Sequence, residues 1–368
     1  MSPAPTTDRT AATTRRRSRR RPAGRLAASA VALALVLAAC GDSGGSGGGN
    51  ADISVPKADT SGLPKPEAGV GTIKVASLPI PHNVQFIELE QFAEQYGIDV
   101  EWVSFQRYSD TQLAVSRGDV AFAAAGYHTI ALDTAPTNVD IVAGGNSGAQ
   151  ALVLKSGVEV DDWSDLAGLK IGVAPNSGPD IQFQLAAKEA GFDPDSIERV
   201  NFTTIGPPTL MALKNGEIDG MLCWEIACAQ AVSDGSGTYS TLDIGENPTA
   251  NANTLVLANR DWIEKYPNAT TLLVKAYVDA VEHFREDEGD WVKAVTAATG
   301  SDDPKVLETA LSTITLEWEL YEDRALATAK AYSDFGVSTK DMSDEVEGYL
   351  NYTFLEAATG KDRSEVGG

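Results

Sequence analysis

Histidine and cysteine are nearly missing from this chain, three of each in 368 residues. Histidines this scarce and dispersed give no metal-ligand cluster. No HExxH, paired CxxC, Walker A or GxGxxG string occurs, so the usual motifs of zinc hydrolysis, dithiol redox, nucleotide and dinucleotide chemistry are absent. No cofactor is expected. Cations are also short, 29 Lys and Arg against 52 Asp and Glu, for a formal charge of −23. So acidic a chain argues against nucleic acid as a partner and against broad adhesion to anionic lipid. The long apolar run at residues 26–40, LAASAVALALVLAAC, is too short for a comfortable membrane span.

What is present at that end has three parts. A basic stretch, RRRSRRRPAGR, precedes the apolar run, and a flexible Gly/Ser tract, GDSGGSGGGN, follows it. This order reads as an export signal, and Leu37-Ala38-Ala39-Cys40-Gly41 resembles a bacterial lipoprotein processing site. Residues 1–39 are expected to be removed and Cys40 to carry a lipid, with residues 40–71 as a tether. Losing eight Arg and one Asp takes the remainder to −30, which leaves Cys40 as the membrane connection. The consecutive arginines also permit a twin-arginine route.

Beyond the tether, hydrophobic patterning repeats itself. TIKVASL, a loop PIPHN, the helical VQFIELEQFAEQYG, the alternating IDVEWVSF, a helix closed by Gly118 and the strand DVAFAAAG make one set. Ser109-Asp110-Thr111-Gln112 reads as a capping box opening that set's second helix. LKIGVA, PNSGPD, IQFQLAAKEAG, ERVNFTTI, TLMALKNG and IDGMLCW make a second set in the same order. Two such sets predict an α/β fold of two parallel-sheet lobes, at residues 72–150 and 151–250. The stretches after each set are read as crossing segments. Residues 251–360 return to the first lobe with C-terminal helices that cover it, and 361–368 are a tail. Cys223 and Cys228 are read first as buried thiols acting as small apolar side chains, with a disulfide between a strand end and the following helix left open, since export permits one.

Ligands of parallel α/β sheets bind beyond the carboxyl ends of strands. Trp224 and Glu225 end one closing strand, as Tyr127 and His128 end the other. His82, Asn83, Gln106, Arg107, Ser177 and Asp180 occupy the remaining strand ends. An aromatic wall with a few orienting polar groups is the usual composition of a small-molecule pocket. Each has a plainer reading: Trp224 as core, Glu225 as partner of its own helix start, Arg107 as a solvated loop charge. At PNSGPD the helix start is a weak anion site, because Pro179 has no N–H and Asp180 is negative. A neutral or amine-bearing ligand stands level with an oxyanion.

With ALKNGEIDGMLCWEIACAQAV, WSDLAGLKIGVAPNSGPD, GDVAFAAAG and EKYPNATTLLVKAYVDAVEHF followed by AVTAATG, the chain resembles the solute-binding proteins of ABC importers in the nitrate, sulfonate and taurine group. That group includes binders of thiamine pyrimidine precursors. The likeness covers residues 72 to 357 and departs at Ile226, where the family usually has Pro, and at the two flanking cysteines. It implies a type II periplasmic-binding-protein fold, a monomer that closes on a small molecule, and delivery to a permease with an ATPase. Enzymes on the same fold, desulfinases and pyrimidine-synthesis proteins, and ligand-sensing lipoproteins are the other classes it admits.

Overall fold

Each short apolar run read above forms a strand in the computed structural model, which describes residues 50–132, 136–242, 244 and 252–368. The signal stretch and Cys40 lie outside the described residues. The strands are β1 (Thr72–Ser77), β2 (Asp99–Ser104), β3 (Phe122–Gly126), β4 (Val139–Gly148), β5 (Gln150–Lys155), β6 (Lys170–Val173), β7 (Glu198–Asn201), β8 (Gly220–Trp224), β9 (Gly237–Tyr239), β10 (Ala252–Asn259) and β11 (Ile314–Leu316). They form two sheets, ordered β2-β1-β3-β10-β4-β11 and β7-β6-β8-β5-β9. In each, the three strands of one repeated set pair in parallel, and the chain's crossing segments add antiparallel strands. The sheets are therefore mixed rather than purely parallel.

Both sets place their first strand, β1 or β6, between the other two, as right-handed crossovers do when the chain goes from the first strand to one side and then back to the other. The ends of the helices between them follow local rules. Gly97, Gly118 and Gly216 stop three of them at φ of 70°, 76° and 74°, a conformation that only glycine adopts without cost. The capping box at Ser109 does not form: the helix Tyr108–Arg117 begins two residues earlier than that box requires, with Arg107 at its N-cap and no side-chain cap.

The second sheet buries both faces, and its alternation shows how. Leu152 and Leu154 of β5 join Ile171, Val173 and Phe183 on one side. Val153, Met221 and Cys223 join Leu213 and Ile218 on the other, as the two-residue period of a strand requires. The first sheet shares one larger core with the helices Pro267–Glu286, Glu288–Thr299 and Glu322–Asp334, through residues such as Tyr277, Trp291 and Tyr332. The chain passes from sheet to sheet at Ala149, between the adjacent ends of β4 and β5. Part of the return between β9 and β10 lies outside the described residues.

Residues 50–71 depart from the tether reading. Ala51 and Ile53 are buried, Ala51 N donates to the Glu88 carboxylate at 3.1 Å, and Ser54 N donates to Asp290 at 2.7 Å. Glu67 accepts from Asn268 N and Ala269 N at the start of the helix Pro267–Glu286. This stretch is a strap laid along the first lobe. Its backbone finds partners far away in sequence, so nothing periodic in its own composition announces them.

Candidate functional site

Several strand ends meet at one space. A cavity of about 270 Å³ is walled by Gln106, Arg107, Tyr108 and His128 from the first sheet's side and by Asn176, Ser177, Thr204 and Trp224 from the second's. Trp224 ends β8 in register with Gln150, and Glu225 N donates to Ala149 O at 3.0 Å. The indole thus stands where the chain crosses between sheets. On its other side Trp224 and Glu225 border a second cavity of about 290 Å³ with Pro81, Gly206, Pro207 and Ser301.

Tyr108 holds the first wall together. Its hydroxyl lies 3.2 Å from Asn83 Nδ2 and 3.3 Å from His82 Nε2. Its ring meets the edge of His128 at 6.1 Å and of Trp224 at 6.4 Å between centroids. His82 and Asn83 are fully buried behind it, so they support the wall rather than line this cavity. Burial pushes the His82 imidazole down to about 3 and that of His128 to about 4, because a dry site disfavours the charged ring. Both are neutral at pH 7. The His128 ring folds back over Gly126, where a Cβ would collide with it.

Glu225 is almost wholly buried. Burial lifts its carboxyl to about 7, against the pull of three donors: Tyr239 Oη at 2.8 Å, Ala229 N at 2.9 Å and Thr313 Oγ1 at 3.2 Å. The helix-start role is therefore real for Glu225, and the two hydroxyls add a link from β9 and from the segment before β11.

Besides His82 and Asn83, two more positions differ from the sequence reading. Asp180 turns away from the cavity to an ion pair with Arg199 and accepts from Asn176 N at 2.9 Å. Tyr127 is buried in the first lobe's core and borders neither cavity. Arg107 lines the cavity while largely exposed, 3.4 Å from Asp110. The cysteines are not free thiols: Cys223 and Cys228 are bridged, with 5.6 Å between their Cα atoms. A strand end and the first turn of the next helix fall within disulfide reach only once the fold turns one onto the other.

Among known families, the model of the NMT1-like family matches residues 62–297. The chain belongs to the NMT1-like family. It is 26% identical over 206 residues to the taurine-binding periplasmic protein of Escherichia coli K12, covering 55% of this chain and 62% of that one. Among solved structures, an alkanesulfonate-binding protein from Xanthomonas axonopodis pv. citri superposes at TM-score 0.63 with 15% identity, over 77% of this chain and 98% of that one. A desulfurization enzyme superposes at 0.58 with 15% identity, over 78% and 99%. The shared architecture is the periplasmic-binding-protein fold of type II strand order.

In this NMT1-like chain several site residues carry no sequence signal of their own. Tyr108 sat in the open, one residue past Gln106-Arg107 at a strand end, and position alone could have marked it. Gln150, Gln182 and Asn253 border a small internal space beside His128. They come from a crossing strand, a helix interior and a returning strand, and nothing local joins them. One further grouping, His283, Asp287 and Asp290, has the composition of metal ligands. Asp290 there is occupied by His283 at 3.0 Å, Lys293 at 2.7 Å and the strap's Ser54 N, which makes it a fastening for the strap.

Proposed function

We propose that this chain is the extracytoplasmic solute-binding component of an ABC importer. It is held to the outer face of the cell membrane by a lipid on Cys40, captures a small molecule between its two sheets and hands it to a permease. One observation carries the reading: a cavity at the meeting of the two sheets, walled by strand-end residues of both, with buried polar atoms left without protein partners. Trp224 Nε1 and Ser177 Oγ are such atoms. Buried polar groups are ordinarily satisfied, so their grouping supports a site for a polar guest. The taurine- and alkanesulfonate-binding relatives support the same role.

Trp224 is the residue to test, since it borders both cavities. Trp224→Ala is expected to weaken ligand binding by roughly 30-fold or more, the scale of a buried aromatic anchor. Its unfolding midpoint should change little, because the indole is only partly buried. Titration calorimetry and circular dichroism on the same preparation check both. Unaltered affinity removes Trp224 from the site.

The likeness to a desulfurization enzyme favours a second reading, catalysis on the same fold. Cys223, the thiol nearest the cleft, is bonded to Cys228 and buried, so it offers no thiolate for covalent attack. Conversion of a bound ligand, followed by mass spectrometry over hours, would establish that reading.

A further inference from the structure

Glu225 closes a ring of contacts at the place where the chain crosses between its sheets. Its backbone N donates to Ala149 O at 3.0 Å, and Ala149 N donates to Thr313 O at 2.8 Å. Thr313 leads into β11, which pairs with β4 in the first sheet. The Glu225 carboxyl answers from the second lobe. Its Oε1 lies 3.2 Å from Thr313 Oγ1 and 2.8 Å from Tyr239 Oη of β9, while Oε2 accepts from Ala229 N at 2.9 Å. One buried side chain thus ties the two lobes together beside the crossing.

The proton count decides which form of the carboxyl fits. A threonine hydroxyl has a single hydrogen, and Thr313 Oγ1 stands 2.9 Å from Ala310 O as well as 3.2 Å from Glu225. A neutral Glu225 donates from Oε1 to Thr313 Oγ1, accepts from Tyr239 and Ala229, and leaves the threonine hydrogen for Ala310 O. Every group is then satisfied. A carboxylate has no hydrogen to give, so Thr313 must abandon Ala310 O or turn an oxygen lone pair toward the charge, which burial makes costly.

No charge nearby compensates. The strands β8, β9 and β11, the crossing residues 148–150 and the helix Ala227–Ser233 hold no Lys, Arg, His, Asp or Glu. Tyr239 is the titratable group that reaches the carboxyl, and burial pushes its phenol up, so it stays a donor. On the helix Pro304–Leu311, Lys305 is engaged by Ser233 O and Glu308 is exposed. Glu225 also borders the cavity of about 290 Å³, whose walls come from both lobes: Pro79, Ile80 and Pro81 after β1, Gly206 and Pro207 after β7. Those residues are uncharged, His82 beside them is neutral, and Asp302 and Asp303 beyond Ser301 are exposed. Parting the lobes opens this cavity to water, where the charged form is easily held.

We propose that Glu225 is a proton-operated latch: neutral, it fastens Thr313 to the second lobe and holds the lobes together, and ionised, it releases Thr313 and lets them part. This goes beyond the solute-binding reading and does not depend on which solute is captured. Burial lifts the latched carboxyl to about 7, whereas a wetted one returns toward its ordinary 4.5. The closed arrangement therefore binds this proton more tightly, and the bias toward closure is fully present below about 4.5 and lost as pH rises through about 7.

Pulsed electron paramagnetic resonance on the full-length chain without ligand tests it. Spin labels are attached through ketone-bearing residues at the exposed Arg117 and Asn215, the far ends of the helices Tyr108–Arg117 and Pro207–Asn215. Glu225→Gln keeps the shape and the donor of the neutral acid but cannot ionise, and the histidines are common to it and to wild type. The closed-to-open ratio of the variant, divided by that of wild type, is expected to fall at least about tenfold as pH drops from 7.5 to 5.5. Thr313→Val leaves the carboxyl in place and removes its partner, so the same quotient measured in that background should stay level. Circular dichroism checks that each variant is folded. A quotient that does not change with pH overturns the proposal, whether the lobes move equally in both proteins or in neither, and so does a pH dependence that survives Thr313→Val.

Discussion

Glu225 shows most clearly what one residue's surroundings decide. Its carboxyl ionises near 4.5 when free, and burial lifts it to about 7 in the folded chain. The folded protein therefore binds this proton more tightly than the unfolded one. The resulting stabilisation is fully present below about 4.5 and is lost as pH rises through about 7. Full loss is worth roughly 3 kcal/mol at most, from 1.36 kcal/mol per unit. His82 and His128 act in the opposite sense: their contribution is present above about 6.5 and falls away as pH drops toward 4 and 3. Comparison with Glu225→Gln isolates the carboxyl, since the histidines are common to both. Denaturant unfolding from pH 4.5 to 8 should show wild type losing stability relative to the variant as pH rises. Parallel curves would mean that Glu225 does not titrate in this range.

The element that matters most is β8 with the helix behind it. Met221 and Cys223 face one core and Leu222 the other, so the strand is fixed on both sides before it delivers Trp224 to the cleft. The Cys223–Cys228 bridge then ties the strand end to the helix Ala227–Ser233, with Trp224, Glu225 and Ile226 inside its loop. A loop this short restricts the unfolded chain modestly, and the double variant Cys223→Ala with Cys228→Ala is expected to cost about 2 kcal/mol. Urea unfolding measures it. A change below about 0.5 kcal/mol, within the ordinary scatter of neutral substitutions, would show that the bridge adds nothing. The strap of residues 50–71 is the other telling element. Glu67 occupies the exposed amides at the start of the long helix Pro267–Glu286, a partner that the helix's own sequence does not supply.

For the molecule as a whole, the two crossings between the sheets set the available motion. One is short, the turn at Ala149, and a short connection lets two bodies hinge while each keeps its core. The bodies touch across the cleft through Tyr108 and Trp224, and through Lys305 Nζ on Ser233 O at 2.8 Å. Ligand placed between them should shift the population toward the closed arrangement, because it contacts both walls only there. Small-angle scattering with and without saturating ligand is expected to give a smaller radius of gyration in its presence. An unchanged radius, together with an unchanged distance between labels on the two lobes, would rule out closure as the mode of capture.

The sequence by itself determined the architecture, because its signals are local: alternation in strands, longer periods in helices, glycines at helix ends, and one order of elements repeated. These place Trp224, His128, Ser177, Gln106 and Arg107 at strand ends, and a parallel core brings such ends to one side. Tertiary structure alone decided the rest. Asp180 found Arg199, Tyr127 went into the core, two cysteines became a bridge, and a supposed tether became a strap. The amides at 150, 182 and 253 met across more than one hundred residues of chain. Each of these depends on which distant groups burial brings within hydrogen-bonding reach, and on how far it removes them from water. Neither quantity is written in a residue's neighbours along the chain.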